Sequence, residues 1–272
     1  MTRARSLLVG LVAAAVALVS APTSAASTAS GPSGTSDSSG ASDTSPEGVA
    51  GKRDRHVVGG RSATQPYSFV VSLQNRSGVH LCGGSLVAPR WVVTAAHCVL
   101  EHPPSVLFAR VGSPNRTHGG TFTGTSRVVV HPSGDLALVQ LSSAVSHAPV
   151  PVADRSGPAG TRTRIMGWGQ ACAAEGACAP PTLLRELDAP ILADSRCAGI
   201  TGRTEICTDN PGPGVGVCYG DSGGPQVKQV RGRWELVGAV SRSGNRSPLC
   251  GTGPSIHTDV PAHATWIRRY TG

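Results

Sequence analysis

From about residue 57 onward the chain predicts an all-β fold closed by one short C-terminal helix. Three observations carry this. Short runs rich in Val, Leu, Ile and Thr recur, each bounded by Gly, Pro, Ser or Asn. No stretch with a sustained 3.6-residue apolar period stands out before the end of the chain. Only the tail has helix punctuation, with Pro261 at its start and Arg268 and Arg269 in its last turn. The clearest strand candidates, in order, are residues 69–73, 90–94, 136–141 and 235–241, and the helix is expected over residues 261–270.

The first residues read differently. Arg3 and Arg5 precede an apolar run over residues 7–19, and small residues follow through Ala25 and Ala26. This predicts a signal peptide over residues 1–25. The apolar run is too short for a comfortable membrane span, so no membrane contact is expected of the mature form. Residues 26–56 begin as a tract of Ser, Gly, Thr, Ala, Asp and Pro, which has too little apolar surface to offset its ordering entropy. They end in the basic cluster Lys52-Arg53-Asp54-Arg55-His56.

The formal net charge is +8, and nearly all the cations are arginines scattered along the chain. No basic helix or aromatic-interleaved basic stripe appears, which argues against nucleic-acid binding. A diffuse positive field could still favour polyanions or acidic protein surfaces. Eight cysteines behind a signal peptide argue for four disulfides and an oxidising, extracellular destination. Composition alone leaves about 105 pairings open.

The chemistry is concentrated in Gly220-Asp221-Ser222-Gly223-Gly224-Pro225, answered upstream by Thr94-Ala95-Ala96-His97-Cys98 and by Asp135-Leu136-Ala137-Leu138. A serine hydroxyl is a poor nucleophile at neutral pH. It needs a base to take its proton and a carboxylate to orient that base. His97, Asp135 and Ser222 supply that set. Each segment alone reads as a turn, a structural histidine or a surface carboxylate; the combination does not. Val57-Val58-Gly59-Gly60, Cys82-Gly83-Gly84-Ser85-Leu86, Trp91-Val92-Val93-Thr94, Gly167-Trp168-Gly169 and Trp266-Ile267 accompany it.

With these motifs in this order, the chain from Val57 nearly to its end resembles the chymotrypsin-like (trypsin-fold) serine endopeptidases. The resemblance implies two packed antiparallel β-barrels of the chymotrypsin type, over residues 57–156 and 157–260, with the helix at 261–272. It implies a secreted peptide hydrolase with protein or peptide substrates, susceptible to protein inhibitors, monomeric and needing no cofactor. Ser222 would attack, His97 would act as base, and Asp135 would orient it. The N–H groups of Gly220 and Ser222 would form the oxyanion hole. Asp221 would pair with the α-amino group of Val57 once the propeptide is cut. His56 stands at that junction, where relatives often carry Arg or Lys; a trypsin-like activator cutting after Arg55 would leave one residue too many.

The primary pocket would be built from Gly216 at its floor, Ser243 and Ser255 on its walls, His257 near its back and Tyr219 at its rim. Ser241 would support Asp135, and Arg242 stands where an aromatic is more usual. Gly216 in place of an aspartate argues against a preference for Arg or Lys. An apolar or medium-sized residue is one expectation and a polar or acidic one the other. The resemblance pairs Cys82 with Cys98, Cys197 with Cys207 and Cys218 with Cys250, leaving Cys172 and Cys178 to each other. Residues 106–121 contain no Asp or Glu, so no calcium is expected there; zinc is not expected at the cysteines. The competing class is a non-catalytic secreted binding protein on the same fold. Such chains usually lose a triad residue, and this one keeps all three.

Overall fold

The computed structural model describes residues 59–272. The expected signal peptide, propeptide and Val57 lie outside the described residues. A two-residue strand, β1 (Arg61–Ser62), is followed by β2 (Val70–Asn75), β3 (His80–Ala88), β4 (Trp91–Thr94), β5 (Leu107–Val111), β6 (Thr121–Val130) and β7 (Ala137–Leu141). Strands β2 to β7 close a barrel in the order β2-β3-β4-β7-β6-β5. Then come β8 (Arg162–Gly167), β9 (Arg185–Pro190), β10 (Glu205–Thr208), β11 (Pro225–Val230), β12 (Arg233–Ser243) and β13 (Ser255–Asp259). With β1 they make a seven-stranded sheet in the order β1-β9-β8-β11-β12-β13-β10.

The strands follow their side-chain pattern. In β5, Leu107, Ala109 and Val111 are buried while Phe108 and Arg110 alternate outward, the period of a half-buried strand. Every residue of β4 is buried, so that strand shows an unbroken apolar-rich run instead of alternation. The second sheet is not closed by a full ladder. β9 and β10 meet at a single antiparallel bridge, Ile191 with Thr208, reinforced by Leu192 N–H to Cys207 O at 2.7 Å and Asp209 N–H to Pro190 O at 3.0 Å. Pro190, with no N–H of its own, ends β9 at this point.

Both ends of the chain cross the expected division at residue 156. β1 pairs with β9 of the second sheet. A 3-10 turn (Pro261–His263) leads into α1 (Ala264–Thr271), close to the expected helix. The Tyr270 ring lies 5.9 Å from that of Trp91 in the first barrel. One continuous apolar cluster therefore includes Val71 and Leu138 from one barrel, Val227 and Leu236 from the other, and Ile267 from the helix.

Candidate active site

His97 follows β4, and the neighbouring Cys98 is bonded to Cys82 on β3. Asp135 stands between β6 and β7, two strands that flank the same region of the barrel. The His97 ring donates from Nδ1 to Asp135 Oδ2 at 2.8 Å, and the His97 backbone N–H donates to Oδ1 at 3.0 Å. The second sheet reaches the same carboxylate: Ser241 Oγ donates to Oδ2 at 2.6 Å. Thr258 Oγ1 donates to the Asp135 carbonyl at 2.7 Å. Burial pushes the Asp135 carboxyl up, but the bonds from the His97 ring, Ser241 and the His97 N–H outweigh it and hold the group below its ordinary range.

Ser222 sits in a tight turn between Cys218 and β11. Asp221 N–H bonds Cys218 O and Gly224 N–H bonds Asp221 O, each at 2.9 Å. The turn is docked against β3 by Gly83 N–H to Ser222 O at 2.8 Å and to β12 by Gly223 N–H to Val240 O at 2.8 Å. Gly223 has φ 73°, and a Cβ there would run into Thr94 Oγ1 and Gly83 O. Only glycine permits that approach. Among the described residues, Ser222 Oγ makes no hydrogen bond to the His97 ring.

The N–H groups of Gly220 and Ser222 have no acceptor among the described residues. Gly220 has φ 95°. Its carbonyl is held by His80 Nε2 at 2.8 Å, and His80 Nδ1 is in turn 2.7 Å from Ser72 Oγ. Burial pushes the His80 imidazole down to about 4, so it is neutral at ordinary pH. Asp221 is buried, with Oδ1 accepting Gly169 N–H at 2.8 Å and Oδ2 accepting Cys218 N–H at 2.9 Å. Burial pushes its carboxyl up to about 6, against the two backbone bonds that oppose it. A Cβ at Gly167 or Gly169 would strike this carboxylate, which explains the glycines flanking Trp168.

A cavity of about 260 Å³ opens beside Ser222. Its walls include Val217, Cys218, Tyr219, Val240 to Ser243, Leu249 to Gly251 and Ser255. Gly216 is not in the lining: it is buried one layer back, its own Cβ position 3.6 Å from Gly251 Cα. With φ 151° it favours glycine. Its neighbour Val217 does line the cavity. His257 likewise lies behind the wall, fully buried, its Nε2 2.9 Å from Ser255 Oγ. Ser255 and Ser243 do line the cavity. Arg242 is held by Glu205, with Nη1 to Oε1 at 2.6 Å and Nη2 to Oε2 at 2.9 Å, so its charge is already matched.

A family model described as Trypsin matches residues 57–267. The chain belongs to the trypsin family. Among solved structures it is similar to human heparin binding protein, with a TM-score of 0.66 and 27% identity over 78% of this chain and 95% of that one.

In this trypsin-family chain the disulfides are Cys82–Cys98, Cys172–Cys178, Cys197–Cys207 and Cys218–Cys250. Among the described residues, the one cluster of His and Cys compact enough for a metal is Cys82, His97 and Cys98, whose two sulfurs are joined to each other. Sequence reading missed His80, Ser72, Thr258 and Gln170. The one available signal was His80, a titratable residue two positions before a cysteine in an otherwise apolar strand.

Proposed function

We propose that this chain is a secreted serine endopeptidase, made with a signal peptide over residues 1–25 and a propeptide over 26–56. The observation that carries the reading is the His97–Asp135 pair at 2.8 Å, steadied by Ser241, which lines the same cavity as Ser222. Ser222 Oγ attacks the scissile carbonyl while His97 Nε2 takes its proton. Asp135 keeps the proton on Nδ1 and stabilises the imidazolium that forms. The Gly220 and Ser222 N–H groups receive the oxyanion. His97 then protonates the leaving amine, and water repeats the sequence on the acyl-enzyme. Cleavage after His56 would free the Val57 amine, a cationic partner for the buried Asp221 carboxylate.

The pocket favours uncharged apolar or medium-sized side chains. It has no carboxylate in its lining, and its hydroxyls other than that of Ser222 are already engaged. Ser243 Oγ donates to Asn245 Oδ1 at 2.7 Å, Tyr219 Oη to Pro248 O at 2.7 Å and Thr252 Oγ1 to Leu249 O at 2.8 Å, while Ser255 Oγ is bonded to His257. What remains for a ligand is the apolar surface of Val217, Val240 and Leu249. Protein or peptide substrates, and protein inhibitors that occupy the same cleft, are the partners this reading implies.

The test is cleavage of a peptide library by protein prepared to begin at Val57, read by mass spectrometry, with Ser222→Ala as control. Cleavage after apolar residues, absent in the control, is the expected result; hydrolysis that survives Ser222→Ala overturns the mechanism. A second reading, a polyanion-binding protein on this fold, is favoured by the heparin-binding title of the similar structure and the net charge of +8. A correctly folded chain that cleaves no peptide but is retained on a heparin column would support it.

A further inference from the structure

The Cys172–Cys178 ring has no role in the chemistry just described, yet it is tied into the site at two points. Gln170 N–H donates to Tyr219 O at 2.9 Å, within the turn leading to Ser222. The Gln170 side chain is buried and forms the hub of the ring: Nε2 donates to Cys172 O at 2.9 Å and to Ala174 O at 2.5 Å, and Oε1 accepts Gly176 N–H at 2.9 Å. The ring then presents Ala173 O to Cys250 N–H at 2.9 Å. Cys250 is bridged to Cys218, and both line the cavity beside Ser222. At the exit, Arg116 Nε and Nη2 hold Pro181 O at 2.8 Å and Pro180 O at 3.1 Å.

Residues 173–177 are exposed and, apart from Glu175, are only Ala and Gly. Such a segment buries almost nothing that could offset the entropy of fixing it. The disulfide and the buried amide of Gln170 supply the constraint that packing does not. Their product is one placed carbonyl, Ala173 O, against the pocket wall, and one braced carbonyl, Tyr219 O, just before the oxyanion donors.

We propose that the Cys172–Cys178 ring, with Gln170 as its hub, is a positioning element for the reaction. It holds the turn from Tyr219 to Ser222 and the wall at Cys250 so that the Gly220 and Ser222 N–H groups stay aimed at the developing oxyanion. The inference rests on the endopeptidase reading above.

The test compares wild type, Gln170→Ala and the double variant Cys172→Ser/Cys178→Ser, each beginning at Val57. It reads kcat and KM separately, affinity for a peptide boronate that bonds to Ser222, amide hydrogen exchange over residues 219–222, and thermal unfolding. The expected result is cooperative unfolding in Gln170→Ala, kcat down about tenfold with a smaller change in KM, and boronate affinity down by a similar factor. That is short of the roughly hundredfold or greater loss expected when an oxyanion donor is removed outright. Exchange over residues 219–222 should quicken. Wild-type kcat, boronate affinity and exchange in a folded Gln170→Ala overturn the proposal. So does loss of cooperative unfolding in that variant, which would make the hub a determinant of the fold instead of the site. If the double variant alone fails to fold, Gln170→Ala decides. Faster exchange in the variants of a chain that hydrolyses no peptide would keep the positioning role and sink the endopeptidase reading.

Discussion

At Asp135 and Asp221 the same physical effect has opposite outcomes. Both carboxyls are pushed up by burial. Asp135 has a ring N–H, a hydroxyl and a backbone N–H directed at it and ends below its ordinary range, whereas Asp221 has two backbone N–H groups and ends at about 6. A carboxylate held ionised beside His97 suits a group that must stabilise an imidazolium. A carboxylate left short of compensation suits a group awaiting a cation. Pocket selectivity is also decided residue by residue. Val217 lines the cavity, so Val217→Asp is a substitution that places a carboxylate in its wall. Its expected effect is a gain of about tenfold or more in kcat/KM for Lys or Arg substrates relative to apolar ones, since a buried cation then has a partner. Paired peptide substrates measure it, and an unchanged ratio would show that the cavity is not the primary pocket.

Among the elements, the segment that enters the fold is fixed by one polar cluster. Glu186 on β9 is fully buried and accepts Tyr67 Oη at 2.5 Å, Thr64 Oγ1 at 2.9 Å, Thr64 N–H at 3.2 Å and Arg61 Nε at 2.9 Å. Arg164 on β8 lies 3.2 Å from the same carboxylate and pairs with Asp188 at 2.6 Å. This ties residues 61–67 to the second sheet. Tyr67→Phe keeps the ring packed against Phe69 and Trp234 but removes one bond from a buried carboxylate. The expected cost is about 1–3 kcal/mol of stability, read as a lower denaturant midpoint with an unchanged m-value. A variant as stable as wild type would show that Arg61, Arg164 and Thr64 suffice to satisfy Glu186.

For the whole molecule, acid should be destabilising. Burial holds His80 neutral down to about 4 and His257 down to about 3, while an unfolded histidine takes its proton near about 6.5. Their contribution is complete above about 6.5 and is lost as pH falls toward and through the folded values. Asp221 acts the other way: its folded value of about 6 lies above the ordinary 3.8, so its contribution is present below 3.8 and lost as pH rises through 6. Burial also pushes His263 down and Asp259 up; three histidines against two carboxyls leave the unfolded chain binding more protons between about 6.5 and 4, so stability rises with pH there. The melting temperature of the full-length Ser222→Ala chain should fall as pH drops from about 7 to about 4. His257→Gln should make that fall shallower; an equal slope would remove His257 from the account.

The sequence by itself determined the β-rich class, the terminal helix and the short-range chemistry. His97, Asp135 and Ser222 stand in local motifs, and Gly167, Gly169 and Gly223 are glycines because a side chain there would strike the site. The motifs are legible because each depends on residue type and a few neighbours, whereas the reason for those glycines lies in residues distant along the chain. What only the tertiary structure decided are the contacts between residues far apart in the chain. Ser72, His80 and Gly220 form one hydrogen-bonded line, with His80 reaching Gly220 across 140 positions, and Tyr67 meets Glu186 across 119. The place of Val217 in the cavity wall and the joining of β9 to β10 by a single bridge are of the same kind. A hydrogen bond or a pocket wall is a fact about distance in space, and no local pattern encodes a distance closed only when two sheets pack.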